Sequence, residues 1–139
     1  TTMIICPDKI NQKRHVEFFK DVETVKSHMK EHAKLIRPKF ELAYSHLEKL
    51  PSECGTFSKP TGGYFITYFT SKPIAKKVVN FCKEMGVLIT PAGSMYPNGY
   101  DPDDSAIRLA PTYVSKEELN SAMEVFTTAV ELAHFDISI

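Results

Sequence analysis

An α+β fold, a small mixed sheet packed with helices, is predicted for this 139-residue chain. Three observations carry the prediction. Long stretches place apolar residues at steps of three and four, the period of a helix with one buried face. Short runs rich in aromatic and β-branched residues lie between them, as strands do. The order is helix, strand, helix, strand, strand, helix, which fits helices laid on a small sheet.

Residues 1–20 show no clear period. Asp21 can cap the helix that follows. Apolar residues then recur at Val22, Val25, Met29, Ala33, Ile36, Phe40, Ala43 and Leu47. Pro38 sits inside that stripe and should kink the helix or divide it in two, because it lacks a backbone donor. Pro51 and Gly55 end the element. Residues 52–62 read as a loop. Gly63 to Phe69 reads as a strand apolar on both faces, hence central and covered. Ser71 should cap a second helix with Pro73 in its first turn, an inward face of Ala75, Val78, Val79, Cys82 and Met85, and Gly86 as its C-terminal cap. Val87 to Thr90 reads as a short strand. A Gly/Pro-rich loop from Pro91 to Ser105 follows, long enough to suggest a functional role. Ala106 to Ala110 is the next strand, stopped by Pro111. Ser115 and Glu118 form a capping box for a last helix that turns Leu119, Ala122, Met123, Phe126, Ala129, Val130 and Ala133 inward.

Composition bounds the function. Hydrophobic residues make up 42% and charged residues 24%, a globular profile. The length is that of one domain, 1–139, burying roughly two-thirds of its unfolded surface. Seventeen basic and seventeen acidic residues cancel, which argues against a nucleic-acid or anionic-membrane surface. No apolar run approaches the ~20 residues of a membrane helix. Cys6, Cys54 and Cys82 are widely spaced and odd in number, which reads as reduced thiols in a cytoplasmic protein. The chain opens on Met3-Ile4-Ile5 without an initiator Met, and residues 1–20 read as a segment entered part-way through a longer protein.

One residue stands out chemically. In Ala106-Ile107-Arg108-Leu109-Ala110, alternation puts Ile107 and Leu109 on one face and Arg108 on the other, between small neighbours. A charge in a short apolar strand is costly to bury alone. Its planar fork suits a carboxylate gripped by two parallel bonds. A structural salt bridge or a solvent-facing edge residue is the alternative.

Three fragments resemble a known family. Lys59-Pro60-Thr61-Gly62-Gly63-Tyr64-Phe65 is similar to the P-x-GG-aromatic motif of the small domain in fold-type I aminotransferases. Met85-Gly86-Val87 with Pro91-Ala92-Gly93 resembles the segment that follows it. Ile107-Arg108-Leu109 resembles the strand whose arginine binds the substrate α-carboxylate. Arg14-His15-Val16, His32 to Phe40 and Thr90 to Asp103 extend the resemblance toward the class Ic bacterial aspartate aminotransferases. It covers nearly the whole chain.

The resemblance implies the C-terminal small domain of an aminotransferase that uses pyridoxal phosphate to move an amino group between an amino acid and a 2-oxo acid. It implies Arg108 as the α-carboxylate ligand, with Tyr96 and Asn98 as substrate-side candidates. Gly62 and Gly63 are expected to be backbone devices. The Schiff-base lysine and the cofactor groups would lie in a missing N-terminal large domain, so no catalytic or cofactor-binding residue is expected in this chain and the isolated piece should be inactive. A full-length protein would be a homodimer. A decarboxylase, a lyase or an aminotransferase-like regulator shares the same small domain, and a free-standing α+β module holding an acidic metabolite is the reading from another class.

Other patterns are set aside. His28 and His32 are spaced like helical metal ligands but have no third ligand, so no metal is expected. Asp101, Asp103 and Asp104 lack the oxygen ladder of a calcium loop and read as a solvated turn. Lys59 to Gly63 precedes a strand, not a helix, and is no phosphate loop. The aromatic strand could suggest an RNA-binding sheet, but neutral charge favours core.

Overall fold

The computed structural model describes residues 8–136. Met3, Ile4, Ile5 and Cys6 lie outside the described residues. The chain divides into two compact units, Thr1–Arg37 and Pro38–Ile139.

The first unit holds a helix that periodicity missed, α1 (Lys9–Phe19). The Asp8 carboxylate caps it, accepting the N–H groups of Ile10 and Asn11 at 3.0 Å each. None of its residues is buried, so no apolar stripe exists for a helical period to reveal. Helix α2 (Val22–Leu47) begins in this unit. Asp21 caps it as expected, accepting the Thr24 N–H at 2.8 Å, and that bond holds the Asp21 carboxyl below its ordinary range. His28 meets the edges of Phe18 and Phe19, with ring centroids 6.0 and 5.3 Å away. The stripe read as buried is exposed at Val22 and Met29 and buried at Ala43 and Leu47. Pro38 does not divide α2. The missing donor removes one bond, while Phe40, Ala43 and Leu47 beyond it are held by the core.

The second unit carries a sheet of β1 (Gly55–Phe57), β2 (Ile66–Thr70) and β3 (Ala106–Leu109), in that order. The helices α3 (Ala75–Glu84) and α4 (Lys116–His134) complete the α+β architecture. Both pairings are antiparallel. The sheet expected to be mixed is thus antiparallel among the described residues, and Val87 to Thr90, read as a strand, forms no ladder. Leu88 there is 81% exposed. β1 falls in the segment read as loop. Its three residues are held by pairing with β2, not by propensity. Gly55 is required in it, since a Cβ would lie 2.2 Å from the Phe69 carbonyl oxygen.

The register places Ile66 opposite Leu109 and Tyr68 opposite Ile107. All four are buried on the face toward the helices, where the Tyr68 ring meets Phe126 edge-on at 5.5 Å. Each large side chain so buried stabilises the fold by roughly 1.5–3 kcal/mol. β2 is central, as read, but it is not covered on both faces. Phe69 faces away from the helices and is exposed, as are Tyr64 and Phe65 just before the strand. The strand starts three residues later than read because Gly63 takes a φ of +90°, which breaks the extended run.

The last helix follows the sequence reading. The Ser115 hydroxyl accepts the Glu118 N–H at 3.2 Å and the Glu118 carboxylate accepts the Ser115 N–H at 2.9 Å. Leu119, Met123, Phe126, Ala129, Val130 and Ala133 are buried. α3 departs from its reading at its start. Ser71 does not cap it; its hydroxyl donates to the Glu53 carbonyl at 2.5 Å. The cap comes from a distant loop residue, Asp104, which accepts the Ala75 N–H on its carbonyl at 2.8 Å and the Lys76 N–H on its side chain at 3.2 Å. At the other end Gly86, with φ +87°, closes the helix as expected. Val87 N–H reaches the Cys82 carbonyl and Gly86 N–H the Lys83 carbonyl, the paired bonds of a Schellman turn.

Candidate functional site

Arg108 sits in the middle of β3, opposite Thr67 of β2. Opposed residues of an antiparallel pair project from the same face, so both lie on the face that the helices leave open. Arg108 is half-buried, while Ala106, Ile107 and Leu109 are buried. Its guanidinium carbon lies 4.8 Å from the centroid of the Phe65 ring, a cation–π distance. None of the ion pairs among the described residues involves it. Its Nε is buried and has no hydrogen-bond partner. Such a donor costs free energy until something accepts from it.

Arg108 also lines a cavity of about 170 Å³. The walls include Val87, Ile89 and Thr90, the chain after β3 at Ala110 and Pro111, and Met123 and Phe126 of α4. The lining is mostly apolar, and Arg108 is the one charged residue in it.

The long loop after Thr90 approaches the same face. The Thr67 hydroxyl reaches the Met95 sulfur at 3.9 Å, which brings Met95 beside the strand position opposite Arg108. The loop is folded tightly on itself. Gly93 has φ +82°, and a Cβ there would meet the Gly99 carbonyl oxygen at 2.2 Å. Pro97–Gly99 makes a 3₁₀ turn in which Asn98 adopts φ +58°. Of the residues proposed from sequence, Arg108 has its side chain on the open face and borders the cavity. Tyr96 is half-buried in the loop, its N–H bonded to the Gly93 carbonyl at 2.9 Å. Asn98 is exposed in the turn. Tyr96 and Asn98 do not line the cavity beside Arg108.

Two residues near the site escaped the sequence reading. Phe65 was read as part of a covered strand, although it ends the P-x-GG-aromatic motif, which was the available signal. Asp101 was read within a solvated turn. Its carboxylate is instead buried, at 3% exposure. It accepts the N–H groups of Asp103 at 3.1 Å and of Ser105 and Ala106 at 2.9 Å. Burial pushes its pKa up, but those three donors together with nearby Lys76 outweigh burial and leave it below the ordinary carboxylate value. Its charge in the sequence carried no sign of that burial.

Other sequence candidates find plain roles. His28 and His32 are exposed and stacked at 6.4 Å, and no group of three potential metal ligands occurs among the described residues. Lys59 pairs with Glu48 at 2.6 Å. Cys54 and Cys82 are buried free thiols, and burial pushes the Cys82 thiol up to about 11. Among the described residues no helix is long and apolar enough to cross a membrane.

Comparison with known proteins bears on the whole chain. An aspartate aminotransferase of Corynebacterium glutamicum is 39% identical over 131 residues, covering 93% of this chain and 30% of the relative. A crystal structure of an aspartate transaminase from the same species superposes with a TM-score of 0.89 at 36% identity, over 95% of this chain and 32% of that one. The α-aminoadipate aminotransferase of Thermus thermophilus, solved with N-(5'-phosphopyridoxyl)-L-leucine, shares the fold at 17% identity and a TM-score of 0.69, over 84% of this chain and 29% of that one. The chain thus spans about a third of the length of the relatives it matches. The family model described as aspartate amino-transferase matches residues 1–138, and with that match and the shared fold this chain belongs to the aspartate aminotransferase family.

Proposed function

We propose that residues 1–139 form the substrate-carboxylate-binding small domain, at the C-terminal end, of a cytoplasmic aspartate-type aminotransferase. That enzyme would exchange an amino group between an amino acid and a 2-oxo acid. The observation that carries the reading is Arg108: a guanidinium on the open sheet face, backed by Phe65, without an acidic partner among the described residues, and with a buried Nε that nothing accepts from. Its role is to hold the substrate α-carboxylate, so that the Cα bond to be broken takes a fixed direction.

Pyridoxal phosphate supplies the electron sink for this chemistry when bound. Among the described residues the open face offers no lysine beside Arg108 to hold it, and Lys39, Lys59, Lys72 and Lys77 are engaged with Thr112 and Val114, Glu48, His134 and Asp136. The groups that hold the cofactor are assigned to an N-terminal large domain, and the working enzyme to a homodimer. The relatives' greater length supports this reading, as does the open face of β2 and β3. Tyr96 and Asn98 are assigned to the substrate side of the loop.

The test is Arg108→Leu in the longer enzyme. Loss of two charge-assisted bonds, each about 1.5–3 kcal/mol, lowers kcat/KM at least ~100-fold while the circular dichroism spectrum is retained. An unchanged kcat/KM removes the assignment.

A further inference from the structure

β3 has four residues, Ala106–Leu109, and lies at the edge of a three-stranded sheet. Side chains alternate along it, so a slip of one residue would turn Arg108 into the core and Ile107 or Leu109 to the open face. The ladder itself is short: Ile66 to Phe69 oppose Leu109 to Ala106. Something outside the ladder must fix where the strand begins.

Asp101 stands at that point. One carboxylate oxygen accepts the N–H groups of both Ser105 and Ala106, each at 2.9 Å, and the other accepts the Asp103 N–H at 3.1 Å. The group is buried, where charge-assisted bonds are strong. The segment it gathers is tied to both neighbouring elements. The Ser105 carbonyl accepts the Thr70 N–H at 2.9 Å at the end of β2, and the Asp104 carbonyl accepts the Ala75 N–H at the start of α3. Ala106, held by Asp101, is the first residue of β3, and Arg108 follows two positions later on the same face.

We propose that Asp101 is a positioning residue for the substrate carboxylate: by clamping the backbone of Asp103, Ser105 and Ala106 it sets the register of β3 and so keeps the Arg108 fork on the open face. This rests on the reading of Arg108 as the carboxylate ligand. Asp101 touches no substrate; its effect passes through Arg108.

The experiment is a double-mutant cycle in the longer, cofactor-loaded enzyme, with Asp101→Asn, Arg108→Lys and both together. Asp101→Asn keeps shape and one oxygen acceptor, so the fold is retained. Succinate serves as an unreactive carboxylate probe, with Kd read by calorimetry, alongside KM and kcat for the amino acid. The expected result is a rise in succinate Kd and in KM of about tenfold for Asp101→Asn, with kcat within about twofold, and most of that rise absent when Lys already replaces Arg108. An unchanged Kd, a fall in kcat with KM steady, or an equal penalty in both backgrounds overturns the positioning role. Arg108→Lys alone tests the underlying reading separately: an unaltered succinate Kd in that variant sinks the carboxylate assignment, whatever Asp101 does.

Discussion

The guanidinium carbon of Arg108 lies 4.8 Å from the centre of the Phe65 ring, so the aromatic end of the Gly62-Gly63 turn and the middle of β3 meet at one positive charge. The ring is 48% exposed. It therefore backs the guanidinium without closing it from the open face, and it restricts the rotamers of a side chain that otherwise has several.

Phe65 is thus expected to act on affinity more than on turnover. A cation–π contact at a partly exposed site is worth about 0.5–1 kcal/mol. Phe65→Ala should raise KM in the longer enzyme about two- to fivefold with kcat nearly constant, and Phe65→Tyr should restore the wild-type KM. Steady-state kinetics on the three proteins check this.

The buried hydroxyl of Tyr68 has no hydrogen-bond partner, and burial pushes its pKa well above the ordinary phenol value, with Cys54 adding to the rise. An unsatisfied hydroxyl in a core opposes folding. Tyr68→Phe keeps the edge-on contact with Phe126 and is expected to stabilise by about 1 kcal/mol. Urea unfolding measures it; a lower midpoint would mean that the hydroxyl has found an acceptor.

Gly93 combines a φ of +82° with a close approach to the Gly99 carbonyl. Gly93→Ala meets both a strained backbone and a steric clash, at a cost of about 2 kcal/mol or more. The loop should open first, so limited proteolysis between 93 and 105 is expected to accelerate before global unfolding is altered by the same amount.

Acid sensitivity follows from Asp101. Its carboxyl titrates below the ordinary value of 3.8 when folded, because the backbone donors and Lys76 outweigh burial. The unfolded chain then binds the proton more readily. The resulting stability is complete above 3.8 and is lost as pH falls through the lower folded value. Glu118, held down by the Ser115 N–H and hydroxyl, acts in the same sense. Thermal melts from about pH 6 to about pH 3 should therefore show a smaller loss of Tm in Asp101→Asn than in the parent.

The legible parts of this chain are those set by local chemistry. Asp21, the Ser115 and Glu118 box, and Gly86 end their helices through bonds within a few residues, and such bonds are visible as spacing. Arg108 was legible for a related reason, since alternation along one strand separates it from Ile107 and Leu109 whatever else the fold does. Helix α1 was not, because it buries nothing and so carries no stripe. Neither was β1, whose three residues become a strand only by pairing with Phe69 and its neighbours.

The sequence by itself determined the inward faces of α3 and α4, where three of the helix caps fall, and which strand carries Arg108. Only the tertiary structure decided what that charge meets. Phe65 beneath Arg108 and Asp104 capping α3 are contacts between segments distant in sequence, and the bonds of Asp101 to its near neighbours are buried only because the fold closes over them. Their energy depends on desolvation and approach, and neither exists until the sheet and helices have closed around them.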